Sequence, residues 1–300
     1  MSAAGNARMQ VAILPGGRLH LNDGPIDLVI AADGEAAQVR AAYAAATHRF
    51  ATVLDELCAE LPLLRSPVTP DVAPPECSVA QRMDIAARRV CHDRFITRMA
   101  AVAGAVADEI VATMVNSARL ARACVNNGGD IALHLAEGQS YVVGLVDRPD
   151  VPALFGDARI GWKDHVRGIA TSGWRGRSFS LGIADAATVL AQDAASADAA
   201  ATLIANAINL PDHPAIARVK ACDLDPKSDL GDMLVTRGVG ALSPSDVALA
   251  LARGAEEAQR LVVAGLVEGA ALHLSGASVV VGAMPKLQPG TRERAQGQRT

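Results

Sequence analysis

Aromatic side chains are scarce, with two Trp, two Tyr and four Phe in 300 residues. Positive charge is not in excess either: 28 Lys and Arg face 32 Asp and Glu, a net charge of −4. Such a chain lacks both the phosphate attraction and the stacking platforms of a nucleic-acid binder, so no nucleic-acid partner is expected. No uninterrupted apolar run reaches the ~20 residues that span a bilayer. The polar start, Met1 to Gln10, shows no basic stretch followed by an apolar one, and no membrane partner is expected. The five cysteines (Cys58, Cys77, Cys91, Cys124 and Cys222) are scattered, with no two separated by two residues. That spacing disfavours a zinc knuckle or a redox pair and suits a reducing compartment, so the expected location is the cytoplasm.

What the chain has in quantity is alanine, 60 of 300 residues, within an apolar content of 50%. A large core built from small side chains implies close approach of backbones. At roughly 150 residues per domain the length allows two domains. We read residues 1–284 as one domain, with room for two sub-lobes, and 285–300 as a polar, basic, disordered tail.

Met9–Leu14, Arg18–Asn22 and Ile26–Ala31 read as strands of an antiparallel meander, cut by Pro15-Gly16-Gly17 and Gly24-Pro25. Glu35–Leu61 reads as a helix, because Val39, Tyr43, Ala46, Phe50, Val53, Leu57 and Leu61 recur at steps of three and four. Four prolines in Ser66–Pro75 make a rigid connector. Val79–Val90, Met99–Val115, Ala195–Leu210 and Ser243–Glu268 are further helices, the last opened by Ser243-Pro244. Strands are expected at Arg122–Val125, Arg159–Lys163, Gly168–Ser172, Ser178–Gly182 and Ala187–Ala191. Hairpins are expected at 131–146, around Glu137-Gly138-Gln139, and at 271–282.

Four segments carry chemistry. Ala103 and Gly104 fall in the first turn of a helix, where unpaired N–H groups receive an anion; tight packing explains the same small residues. Asn126-Asn127-Gly128-Gly129-Asp130 leaves a strand, and its paired glycines offer N–H groups to a phosphate or form a plain turn. Thr171, Ser172 and Gly173 end a strand amid Arg167, Trp174, Arg175 and Arg177, a setting for an anionic planar ligand or a solvated hairpin tip. Asp198 and Thr202 stand one turn apart on a helix, so both oxygens face the same way and suit Mg²⁺; alternatively Asp198 is a first-turn acid stabilised by the helix dipole. Asp185 and Thr188 form a looser pair of the same kind. The seven histidines include His134 and His165, but none stands near a nucleophile elbow and there is no His-Glu-x-x-His.

In this order, the segments resemble the ApbE-type flavin transferases (FAD:protein FMN transferases). In that family a small-residue helix precedes Asn-x-Gly-Gly-Asp, a Thr-Ser-Gly strand end, and a helix with Ala-Asp-Ala-x-x-Thr. Here the matches are Ala103–Asp108, Asn126–Asp130, Ala170–Gly173 and Ala197–Thr202, within about residues 95–210. Gly24-Pro25-Ile26-Asp27-Leu28 and Ser228-Asp229-Leu230-Gly231 fit a short, cytoplasmic branch of the superfamily. The resemblance implies an α+β fold, ApbE-like and T-fold-related, of antiparallel sheets with helices packed on one side. It implies Mg²⁺ on Asp198 and Thr202, a dinucleotide-facing loop at Asn127, Gly128, Gly129 and Asp130, a Thr171-Ser172-Gly173 segment beside it, and FAD or FMN as ligand.

Two family features are missing: the Ala-Lys-Gly of the helix reads Gly104-Ala105-Val106-Ala107, and no His-Ile-x-Asp-Pro-x-Thr-Gly stretch follows Ser178–Gly182. The expected function is therefore an enzyme binding a phosphorylated nucleotide, flavin or pterin-like molecule with Mg²⁺, performing FMN transfer or a cofactor-biosynthesis step. The alternatives are a non-catalytic flavin or nucleotide-binding module and a structural homo-oligomer, since alanine-rich helices also pack between chains.

Overall fold

The computed structural model describes residues 8–146, 154–284 and 288–289. Short strands separated by glycine turns open it: β1 (Gln10–Leu14), β2 (Arg18–Asp23) and β3 (Ile26–Asp33) form the expected meander. Next come α1 (Ala36–Ala59), α2 (Leu61–Leu64), α3 (Ser78–Cys91), a 3₁₀ turn at Arg98–Ala101 and α4 (Val102–Ser117). Then follow β4 (Arg122–Asn127), β5 (Asp130–Leu135), β6 (Ser140–Val146), β7 (Leu154–Gly161), β8 (Gly168–Ser172), β9 (Ala186–Ala191) and α5 (Ala194–Ala207). The chain continues through β10 (Ile216–Lys220), α6 (Ala221–Leu224), β11 (Leu234–Val239), α7 (Pro244–Val263), β12 (Gly269–Leu274), β13 (Ala277–Gly282) and β14 (Gln288–Pro289).

Every strand pair is antiparallel, and nine strands form one sheet in the order β1-β2-β3-β4-β5-β8-β9-β12-β13. Helices α1, α4, α5 and α7 lie on one face of it, so the α+β reading with helices on one side holds. Alternation along each strand divides the core. Leu28, Ile30, Val125, Ala132, Ala170 and Val189 point to the helices, while Leu133, Leu135, Ile169 and Leu190 point the other way. That second face is covered by Tyr141 and Val143 of β6 and Ile160 of β7. Of the apolar stripe predicted for α1, Ala46, Phe50, Val53 and Leu57 are buried, joined by Ala42, while Val39 and Tyr43 are half-buried at its start. Each large side chain there contributes about 1.5–3 kcal/mol by leaving water.

The helical run Arg98–Ser117 is long and apolar enough to cross a membrane by length and composition alone. Here 56% of it is buried, against α1, α3, α5, β4 and β5, so its apolarity serves the core. Ser243 caps α7 in a capping box with Asp246, and proline follows at the first helical position.

Three expectations fail. β5 does not form a hairpin with β6: β5 pairs with β4 and β8, and the 137–139 turn carries the chain out to pair β6 with β7 in a separate sheet. Ser178–Gly182 is a loop rather than a strand. Its Leu181 N–H and Ser180 hydroxyl are drawn to the Asn206 side chain instead of a neighbouring strand. The helix expected to end at Pro62 continues, after a break at Glu60, as α2, because proline is tolerated in a first turn. The tail expected at 285–300 lies outside the described residues apart from β14, which pairs with β7.

Candidate functional site

The alanine run of α5 lets this helix sit directly on its neighbours. A Cβ at Gly104 would stand 2.1 Å from the Ala194 carbonyl oxygen, and one at Gly168 2.0 Å from the Asp193 carbonyl. Glycine is the residue that fits both contacts. The contact brings the N-termini of α4 and α5 together, and each helix caps the other. Asp198 of α5 accepts the Gly104 N–H of α4 at 3.0 Å, while Asp108 of α4 accepts the Ala194 and Ala195 N–H groups of α5 at 3.0 and 2.8 Å. Each carboxylate satisfies orphan first-turn donors and meets the positive end of a helix. Asp193 completes the start of α5 by accepting the Ser196 N–H at 2.7 Å.

Beside this junction opens a cleft of about 1240 Å³. Its floor is the face of α5 bearing Asp198, Thr202 and Asn206, three residues spaced by four. Ala103 from the first turn of α4, the β4–β5 turn and the end of β8 form its walls. Asn127 donates from Nδ2 to the Ala103 carbonyl at 3.1 Å, tying that turn to α4. Gly128 and Gly129 have φ of +67° and +118°, the left-handed backbone a two-residue hairpin loop demands. The Gly129 N–H is taken by Asn126 Oδ1 at 2.9 Å.

Asp130 and Asp198 face this space as two half-buried acids. Burial pushes the Asp130 carboxyl up to about 7, against the Thr171 N–H it accepts. Asp198 is raised well above the ordinary carboxylate range, first by burial and then by repulsion from Asp130. Among the described residues neither makes an ion pair. Among the described residues the Thr202 hydroxyl has no hydrogen-bond partner, whereas Thr47, Thr113 and Ser117 each bond the carbonyl four residues back. Two carboxylates without a counter-charge and a free hydroxyl one turn on form a hard-oxygen donor set. No group of three or more His, Cys, Asp or Glu side chains suited to a metal occurs among the described residues. Two carboxylates and a hydroxyl are fewer donors than an all-protein cage supplies, so an ion held here would complete its shell with water or ligand oxygens.

The cleft thus gathers Ala103, Asn127, Gly128, Gly129, Asp130, Thr171, Ser172, Gly173, Asp198 and Thr202, and leaves out Gly104. The Gly104 N–H is committed to Asp198, and its missing side chain makes room for Ala194, so packing explains it. Arg167 and Trp174 also lie off the wall. Arg167 donates to the Trp162, Asp164 and Val166 carbonyls, and Arg175 covers the Trp174 ring at 4.3 Å. Arg175 reaches the cleft while bonded to Asp185, which also accepts the Ser275 N–H. Asp185 is therefore a loop strap, and its expected partner Thr188 instead pairs with Thr171 at 2.8 Å. Asn206, Arg65 and Lys227 are among the wall residues that the sequence reading did not single out. Continuing the i, i+4 step from Thr202 finds Asn206; Arg65 and Lys227 sit in separate segments with no local pattern.

A family profile described as AbpE bacteria matches residues 11–280. A UPF0280 protein of Methanopyrus kandleri is 36% identical over 202 residues, 66% of this chain and 76% of its own length. A UPF0280 protein of Methanococcoides burtonii is 40% identical over 121 residues, 37% of this chain and 46% of its own. One of Archaeoglobus fulgidus is 38% identical over 139 residues, 45% and 54% respectively, so the match spans about half of these latter two relatives. Among solved structures, the apo form of the Pseudomonas stutzeri flavinyl transferase ApbE aligns over 93% of this chain and 95% of that one, with a TM-score of 0.45 and 11% identity. The flavin transferase ApbE of Vibrio cholerae aligns over 93% and 98%, with a TM-score of 0.40 and 10% identity.

Proposed function

The chain belongs to the AbpE bacteria family, and from that premise we propose that it is an enzyme that binds a phosphorylated, planar ligand together with Mg²⁺. The ligand class is a nucleotide, a flavin or a pterin-like molecule, and the reaction class is FMN or nucleotidyl transfer, or a step of cofactor biosynthesis. One observation carries this reading: Asp130 and Asp198 face one cleft beside the Thr202 hydroxyl, and among the described residues the acids have no counter-charge and the hydroxyl no partner. Asp198 and Thr202, with Asp130 opposite, would hold the ion, which neutralises the charge of a bound pyrophosphate. The Gly128-Gly129 turn leaves space for that group against backbone, Thr171 and Ser172 offer hydroxyls, and Arg177 adds positive charge at the rim. The apolar wall from Leu57, Leu64 and Phe95 suits a ring.

Isothermal titration with FAD, FMN, ADP and a pterin, each with and without Mg²⁺, tests it. Binding of at least one ligand that needs the metal and is lost in Asp198→Asn supports the reading. Binding indifferent to both metal and substitution contradicts it and favours a module that holds ligand without chemistry. That second reading has one observation of its own, since among the described residues no histidine lines the cleft.

A further inference from the structure

Four cationic side chains reach the cleft wall: Arg65, Arg175, Arg177 and Lys227. Arg175 is paired with Asp185 at 2.8 Å, and Arg177 donates to the Pro25 carbonyl at 3.3 Å. Among the described residues the side chains of Arg65 and Lys227 make neither an ion pair nor a hydrogen bond. Nearby acids do not serve them. Asp225 accepts the backbone N–H of Lys227 at 2.9 Å, and Asp229 accepts the Thr97 hydroxyl.

Two straps bring these cations to one end of the cleft. Pro67 bridges to Thr97 and the Val68 N–H donates to the Ile96 carbonyl at 2.9 Å, while Asp229 holds Thr97 from the other side. Arg65 and Lys227 each therefore lie two residues from a tie to the same segment, Ile96–Thr97. The wall there is apolar, with Leu61, Leu64, Phe95 and Ile96. Among the described residues the Asp130 carboxyl pairs with no cation; it accepts the Thr171 N–H and faces Asp198. One cleft thus holds a pair of acids and a pair of cations, none of which is in an ion pair among the described residues. Charges held this way complement a ligand that brings a cation to one end and an anion to the other.

We propose that Arg65 and Lys227 form a second anion subsite, independent of the metal, which takes an acidic group attached beyond the apolar part of the ligand. This rests on the ligand-cleft reading above and narrows the substrate class: an elongated molecule with a phosphate at the metal end and a further carboxylate or phosphate at the other. A carboxylate and a phosphate share the chemistry that guanidinium and ammonium groups recognise.

Equilibrium dialysis with labelled inorganic pyrophosphate tests it, using the wild type, Asp198→Asn and the double variant Arg65→Ala/Lys227→Ala. The wild type is expected to bind two pyrophosphates with Mg²⁺ and one in EDTA. In the double variant the EDTA-resistant site weakens at least tenfold while the Mg²⁺-dependent one remains; Asp198→Asn shows the reverse. Arg65→Lys/Lys227→Arg is expected to restore the site to within threefold, which separates charge recognition from damage to the fold. Malonate displacing the EDTA-resistant pyrophosphate assigns the subsite to carboxylates, and resistance to malonate assigns it to phosphates. No wild-type binding in EDTA, or binding unchanged in the double variant, overturns the subsite. Loss of only the Mg²⁺-dependent binding in the wild type overturns the metal reading and leaves the subsite standing.

Discussion

Asp198 does two things with one carboxylate: it caps α4 through the Gly104 N–H, and it faces Asp130 across the cleft. Asparagine keeps an acceptor for the cap and removes the repulsion. Asp198→Asn is therefore expected to fold with a melting temperature at or above that of the wild type, and to lose metal-dependent stabilisation, as read by thermal melts with and without Mg²⁺. Asp108 is a separate case, since its carboxyl is pushed by burial from 3.8 to about 7 although it accepts two N–H groups. Its folded-state value lies above the unfolded one, so between about pH 4 and pH 7 the folded chain holds a proton that the unfolded chain has released. Stability from this group is present at low pH and falls as pH rises, at up to about 1.4 kcal/mol per pH unit. Asp108→Asn is expected to flatten that fall in urea melts run from pH 4.5 to pH 7.5. A wild-type to variant difference that does not change with pH would contradict this role.

At the scale of elements, the site is made by two helices that come unusually close and by the strands ending beside them. Small residues, not polar ones, set that geometry. Gly104→Ala places a methyl 2.1 Å from the Ala194 carbonyl and should destabilise by about 3 kcal/mol or prevent folding, and with it ligand binding. Ser243→Ala removes the α7 cap, far from the cleft wall, and should lower stability by about 1 kcal/mol in denaturant melts without changing ligand affinity. Local elements were legible because periodicity and turn chemistry are local: the α1 stripe, the Gly128-Gly129 turn and the Ser243-Pro244 start all appear where the residues require them. The Ser178–Gly182 strand was misread because Ser-Phe-Ser-Leu alternates as a strand does. Its partner turned out to be the Asn206 side chain, which no local window contains.

Over the whole molecule, one nine-stranded sheet separates a helix layer from the β6–β7 cover. That second layer was not legible. The turn at Glu137-Gly138-Gln139 fits a hairpin locally, and only Leu133, Leu135, Ile169 and Leu190 together, drawn from three strands, need an apolar cover on that side. The site was legible in part for the same reason. Asp198 and Thr202 sit one turn apart in sequence, whereas the approach of Asp130 to Asp198 and the placement of Arg65 and Lys227 on the wall of the same cleft arise from the fold. Because these acids are brought together only in the folded state, the proposed Mg²⁺ binding would be linked to folding. Saturating Mg²⁺ should raise the melting temperature of the wild type, and by more at pH 8 than at pH 5, where protons compete for the same carboxylates. In the proposed site Asp130, Asp198 and Thr202 hold a divalent cation. Crystals grown with Mn²⁺ and pyrophosphate test it most directly: the anomalous map should show one ion bonded to Asp198 and Thr202 at about 2.1–2.2 Å, close to the Mg²⁺–oxygen distance, with Asp130 in its coordination shell. An empty map there, with Asp198 held only by the Gly104 N–H, would contradict it.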